Sequence, residues 1–122
     1  MATCEGTKVS PRVEEGVIKW YKGDAFYLYF DLRDEDTGGV LLITEKDEIG
    51  IEIFMGSRSI RKIGTTFNSE EQVYVCHITK EISNSLNAGE YKYKVYYSKN
   101  NGETIQTIEN CGDILVEGVC QC

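Results

Sequence analysis

The chain has 122 residues, enough for one domain that buries roughly two thirds of its unfolded surface. Hydrophobic residues make up 41% and charged residues 27%, and no run nears the ~18 apolar residues of a membrane-crossing helix, so neither a disordered tail nor a membrane span fits. A net charge of −7, from 20 acidic and 13 basic residues, argues against binding nucleic acid or an anionic membrane, because both need clustered Lys and Arg.

Taken in chain order, the pattern is one of strands. Residues 1–16 are polar and turn-rich and are expected as an N-terminal arm; this arm, the C-terminal tail or both are expected to pair with a sheet edge, in the same chain or in a partner. Val17–Tyr21 is expected as the first strand. Ala25–Leu32 alternates cleanly: Phe26, Leu28, Phe30 and Leu32 share one face, and Tyr27, Tyr29 and Asp31 the other. Ile49–Met55 alternates again, and Ser59–Ile63 is a shorter strand bounded by Gly56 and Gly64. In Gln72–Thr79, Val73 and Val75 oppose Tyr74, Cys76 and Ile78, and Val75 is placed inward. Lys80–Leu86 is the one helical turn. Tyr91–Ser98 sets Tyr91, Tyr93, Val95 and Tyr97 against Lys92, Lys94 and Tyr96.

Asn100-Asn101-Gly102 reads as a hairpin turn, since Asn-Gly supplies positive φ angles, and it is followed by strands at Thr104–Ile108 and Asp113–Glu117. Seven or eight short strands at this spacing predict an all-β antiparallel sandwich over residues 17–118, with 119–122 as a tail. Its expected core is Phe26, Leu28, Phe30, Ile51, Ile53, Val75, Tyr91, Tyr93 and Val95.

No chemistry of catalysis assembles from this pattern. His77 is the single histidine, and its neighbour Cys76 should point to the opposite face of the same strand. Neither a Gly-x-Ser-x-Gly elbow nor a phosphate-binding glycine loop occurs. Asp34, Asp36, Gly39 and Glu45 match positions of a calcium loop. However, Gly38 lacks the oxygen expected between them and the flanks read as strand, so a solvated acidic loop is expected instead.

Met1–Arg12 carries no apolar leader segment, so the five cysteines, Cys4, Cys76, Cys111, Cys120 and Cys122, are expected as reduced thiols. Cys120 and Cys122 form a close pair without a second pair to complete a metal site. No catalytic residue, metal or cofactor is therefore expected. The candidate interaction surface is the set of outward tyrosines, Tyr27, Tyr29 and Tyr96, unless another strand or an arm covers them.

Four segments carry a resemblance: G-D-A-F-Y-L-Y-F-D-L at Gly23–Leu32, I-G-I-E-I-F at Ile49–Phe54, A-G-E-Y-K-Y-K-V at Ala88–Val95 and G-D-I-L-V at Gly112–Val116. Leu86 followed by Ala88-Gly89-Glu90-Tyr91 resembles the corner of immunoglobulin-like domains, where Tyr91 would bury its ring and return its hydroxyl to the backbone. Across residues 17–118 the chain resembles the N-terminal immunoglobulin-like domain of phage baseplate upper proteins. That resemblance implies a non-enzymatic structural or assembly protein of a phage or prophage virion, in the tail, baseplate or capsid, made in the host cytoplasm. Its partners would be other virion proteins or copies of itself. The alternative is a carbohydrate- or cell-surface-binding adhesin module, whose aromatic face would take a host-surface glycan.

Overall fold

Alternating apolar side chains set the strands, and the glycine- and asparagine-rich segments between them set the turns. The computed structural model describes residues 10–118, and of 108–111 the backbone alone. Its elements are β1 (Arg12–Glu14), β2 (Val17–Tyr21), β3 (Phe26–Phe30), β4 (Glu48–Met55), β5 (Arg58–Gly64), β6 (Thr66–Asn68), β7 (Val73–Ile78), α1 (Lys80–Ser85), β8 (Gly89–Lys99) and β9 (Thr104–Glu117). Six strands form one sheet in the order β1-β2-β9-β8-β4-β5, and three form the other, β3-β7-β6. The pairings are antiparallel except that of β2 with β9, which run parallel with Trp20 opposite Val116. The chain is an all-β sandwich of two sheets.

Two of the nine strands, β1 and β6, have three residues each, too few for an alternation to stand out in the sequence. Thr104–Ile108 and Asp113–Glu117, expected as separate strands, are the two ends of β9. Its register against β8 shifts twice between Tyr93 and Tyr96, and such bulges keep one strand continuous while bending it. Arg12–Glu14, within the expected arm, pairs with β2 at the edge of the large sheet. Residues 1–9 and 119–122, and with them Cys4, Cys120 and Cys122, lie outside the described residues.

The core lies between the sheets. Trp20, Ile51, Ile53, Cys76 and Ile78 are fully buried, as nearly are Tyr74 and Ile114. Trp20 from the large sheet meets Phe26 from the small one with ring centroids 5.0 Å apart. Of the expected core, Phe26, Leu28, Ile51, Ile53, Tyr91 and Val95 are buried, whereas Phe30 and Tyr93 are partly buried against it. Val75 is a correction. Tyr74, Cys76 and Ile78 take the inner face of β7, leaving Val73 and Val75 half-buried on the outside. Both faces of this strand are apolar in sequence, so alternation alone could not choose; the Tyr74 ring wins the interior and donates its hydroxyl to the Leu41 carbonyl.

The end of the sandwich is closed as the tyrosine-corner pattern predicts. Thr79 caps α1 by accepting from the Ile82 N–H at 3.2 Å. Ser83, fully buried, accepts from the Gly23 N–H at 2.8 Å. Leu86 is buried, and the Tyr91 hydroxyl donates to the Asn87 carbonyl at 2.6 Å. At the other end, Asn100 and Asn101 take φ of 50° and 57° in the β8–β9 turn. Asp47 holds that turn to the 44–47 loop, accepting from the N–H groups of Thr44 and Asn100 and from the Tyr97 hydroxyl, each at 3.2 Å. The Thr44 and Asn100 N–H groups, chiefly, keep its carboxyl below the usual carboxylate range.

Two mutational outcomes follow from this packing. Ile51→Ala should destabilise the domain by about 2–5 kcal/mol, through lost transfer energy and the cavity it leaves, whereas Val75→Ala should cost no more than about 1 kcal/mol. Equal urea midpoints for the two variants would contradict the assignment of faces. Tyr91→Phe, which removes the corner hydrogen bond and nothing else, should lower unfolding free energy by about 1 kcal/mol, read from the denaturant midpoint at unchanged slope.

Candidate interaction surface

Because Phe26 and Leu28 face inward, the residues between and after them must face out. Tyr27 is 50% exposed and Tyr29 60%. The register of the small sheet sets His77 opposite Tyr27 and Val75 opposite Tyr29, and Thr66 lies opposite Val75 on its other side. The rings of Tyr27 and His77 stack with centroids 4.4 Å apart and planes 18° from parallel. A shallow depression beside them is lined by Thr66, Asn68, Glu70 and Val75. None of β3, β6 or β7 contains Asp, Glu, Lys or Arg, so the strands of this face are neutral and aromatic, with acid at its borders, in Asp31 just past β3 and in Glu70 and Glu71 at the β6–β7 turn.

The outer face of the large sheet is different in kind. Glu52, 9% exposed, accepts from the Ser59 hydroxyl at 2.6 Å and lies 3.5 Å from Lys94 Nζ. Burial opposes its ionisation, but Ser59, Lys62 and Lys94 outweigh that and hold its carboxyl below the usual range. Lys92 pairs with Asp113 at 2.6 Å, and Lys19 with Glu14 at 2.9 Å. Polar groups on this face are engaged with one another.

Tyr96 belongs to this second face and is a correction to the expected interaction surface. Its strand alternation does point it outward, opposite Gly50, yet it is only 5% exposed. Gly50 is the reason. A Cβ there would lie 2.6 Å from both the Tyr96 hydroxyl and the Ile63 carbonyl, so the ring occupies the space that a side chain would fill. Lys62 Nζ sits 5.6 Å from its centroid, and its hydroxyl donates to Glu48 at 3.4 Å. Burial, with the Glu48 carboxylate adding to it, pushes the Tyr96 phenol from the usual 10.0 up to about 12. Of the three tyrosines, the structure brings Tyr27 and Tyr29 together and leaves Tyr96 apart.

Cys76 and His77 do point to opposite faces. Cys76 is fully buried, its thiol pushed up to about 12 by burial, while His77 is exposed beside Tyr27. The acidic loop closes on its own backbone: the Asp34 N–H donates to the Gly39 carbonyl at 2.8 Å, and the Asp34 carboxylate accepts from the Asp36 N–H at 2.8 Å. Among the described residues no three His, Cys, Asp or Glu side chains are grouped to hold a metal ion, and no helix is long and apolar enough to cross a membrane. Val75 and His77 were not legible as members of the surface, since which strand lies beside Tyr27 and Tyr29 is a matter of pairing, not of local alternation.

Fold and surface together define an all-β sandwich whose small sheet presents a neutral aromatic face on its strands. No family model matches the chain, and no curated protein matches it.

The Tyr96 environment has a measurable consequence. Its phenol ionises at higher pH in the folded than in the unfolded chain, so the stabilisation it contributes is complete below about pH 10 and is lost as pH rises through about 12. Urea midpoints measured between pH 9 and pH 12 should fall over that window, and Tyr96→Phe should flatten the fall. Equal slopes for both proteins would refute the assignment.

Proposed function

We propose that this chain is a non-enzymatic assembly domain that docks on protein through the outer face of its small sheet, and that it serves as a structural component of a phage or prophage virion. One observation carries the docking reading: Tyr27 and Tyr29 stand half or more exposed on a sheet face whose strands have no charged residue. Interfaces are enriched in tyrosine and depleted of charge at their centres, and the net charge of −7 is carried elsewhere. The virion setting rests on the resemblance of Gly23–Leu32, Ile49–Phe54, Ala88–Val95 and Gly112–Val116 to the baseplate domain.

A second reading has its own observation. The exposed Tyr27 ring, braced by stacking on His77, is an aromatic contact of the kind that packs against a sugar ring, which suits an adhesin.

The deciding experiment compares the wild-type chain with a Tyr27→Ser/Tyr29→Ser variant in the host that makes it. Both should melt within a few degrees of one another, because the tyrosines lie outside the core. The wild-type chain should be recovered with purified particles and the variant should be lost from them. Equal recovery would sink the docking reading, and glycan-array binding by the isolated wild type that disappears in the variant would install the adhesin reading instead.

A further inference from the structure

We infer that a second copy of this chain joins the first antiparallel along the free edge of β3, so that the Tyr27–Tyr29 faces of the two copies run together into one surface. The inference deepens the docking reading and rests on it. Four strands end the two sheets: β1 and β5 in the large one, β3 and β6 in the small one. Exposed edges invite unwanted strand pairing, and short length, charge and nearby proline blunt them.

β1 has three residues, carries Arg12 and Glu14, and follows Pro11. β5 carries Arg58, Arg61 and Lys62. β6 has three residues. β3 has none of these devices. Its five residues are uncharged, contain no proline and keep an unbroken register with β7 from Phe26–Ile78 to Phe30–Tyr74. Among the described residues its other edge has no strand beside it.

The sequence of that edge is self-complementary. Phe26-Tyr27-Leu28-Tyr29-Phe30 reads the same in both directions. An antiparallel pair related by a two-fold axis perpendicular to the sheet and midway between the strands sets Leu28 opposite Leu28 of the second copy. Tyr27 then falls opposite Tyr29 of the second copy, and Phe26 opposite its Phe30. Such an axis keeps inner faces inner and outer faces outer, so both cores stay closed and the four tyrosines form two cross-strand pairs on one face of the joint. Identical patches meeting about a two-fold make the closed, isologous interface that most homodimers use.

Charge permits it at this edge. Two copies, each at −7, repel over most of their surfaces, but β3 is neutral. Continued one residue past the strand ends, before Leu32 and Arg33 turn to pair with Leu41 and Val40 of their own chain, the same register places Asp31 opposite Ala25. No like charges are opposed. A five-residue ladder is roughly 17 Å long and buries less than the ~1,200 Å² at which stable complexes begin, so the isolated dimer is weak and concentration-dependent, to be reinforced by multiple contacts within an assembly.

Sedimentation equilibrium from about 1 μM to about 1 mM tests this. The wild-type chain should pass from monomer toward twice its mass. Tyr27→Lys/Tyr29→Lys should stay monomeric, because lysine then meets lysine at both positions, and Tyr27→Glu/Tyr29→Glu should do the same. An equimolar mixture of the two variants should recover the doubled mass, with wild-type melting curves throughout. A wild-type chain that stays monomeric overturns the inference, as does a lysine variant that dimerises normally or a mixture that fails to pair. A chain that dimerises only after removal of residues 1–9 also overturns it, making that segment the occupant of the edge. The two readings fail separately. A monomeric wild type whose serine variant is lost from particles keeps the docking reading alone; a dimer whose serine variant enters particles normally keeps the pairing alone.

Discussion

The packing of Trp20 against Phe26 across the sandwich is the constraint on which the rest of the molecule depends. Trp20 belongs to a strand that runs parallel to β9 in the large sheet, and Phe26 opens the first strand of the small one. Once Phe26 is committed inward, Leu28 must follow it, and Tyr27 and Tyr29 are expelled to the other side. The aromatic surface is thus a by-product of closing the core, created by the same five residues. A surface built on a strand whose alternate residues are locked in this way is rigid, with little side-chain and backbone freedom to lose on binding.

The two outer faces of the sandwich solve opposite problems. The large sheet covers itself. Lys19, Lys62, Lys92 and Lys94 lie among Glu14, Glu52 and Asp113, and Tyr96 fills the gap over Gly50. A partner arriving there would have to displace existing ion pairs and hydrogen bonds before making its own. The small sheet has no such network on its strands, and its half-buried Val75 and exposed tyrosines lose only water on contact. The difference between the faces is therefore one of what must be broken first.

How much of this was legible in the sequence depended on whether a residue's fate is decided locally. The β3 and β4 strands, the α1 turn and the Tyr91 corner were legible because period-two alternation and the Leu86–Tyr91 spacing act within a few residues. Val75 was misplaced because β7 is apolar on both faces, and the choice between Tyr74 and Val75 is made by the Leu41 carbonyl, 33 positions away. Tyr96 was placed on the correct side and given the wrong exposure, because a glycine on the neighbouring strand, and not its own segment, determines what covers it. The continuity of β9 was hidden by its bulge, which interrupts alternation without interrupting the strand. The tyrosine pair itself was visible; its neighbours His77 and Val75 required the register.

Cys76 has a use that its position creates. It sits at the centre of the core with no measurable exposure, on the strand that joins β3 to β6, and burial raises its thiol to about 12. A thiol reacts as its thiolate, so in the closed sandwich Cys76 is doubly shielded from alkylating reagents, by access and by protonation. It becomes reactive only when the two sheets part. The rate at which this one sulfur is labelled in native buffer therefore reports the population of the parted-sheet state, distinct from fraying of loops and edges. The sandwich carries, at its least accessible point, a chemical gauge of its own opening.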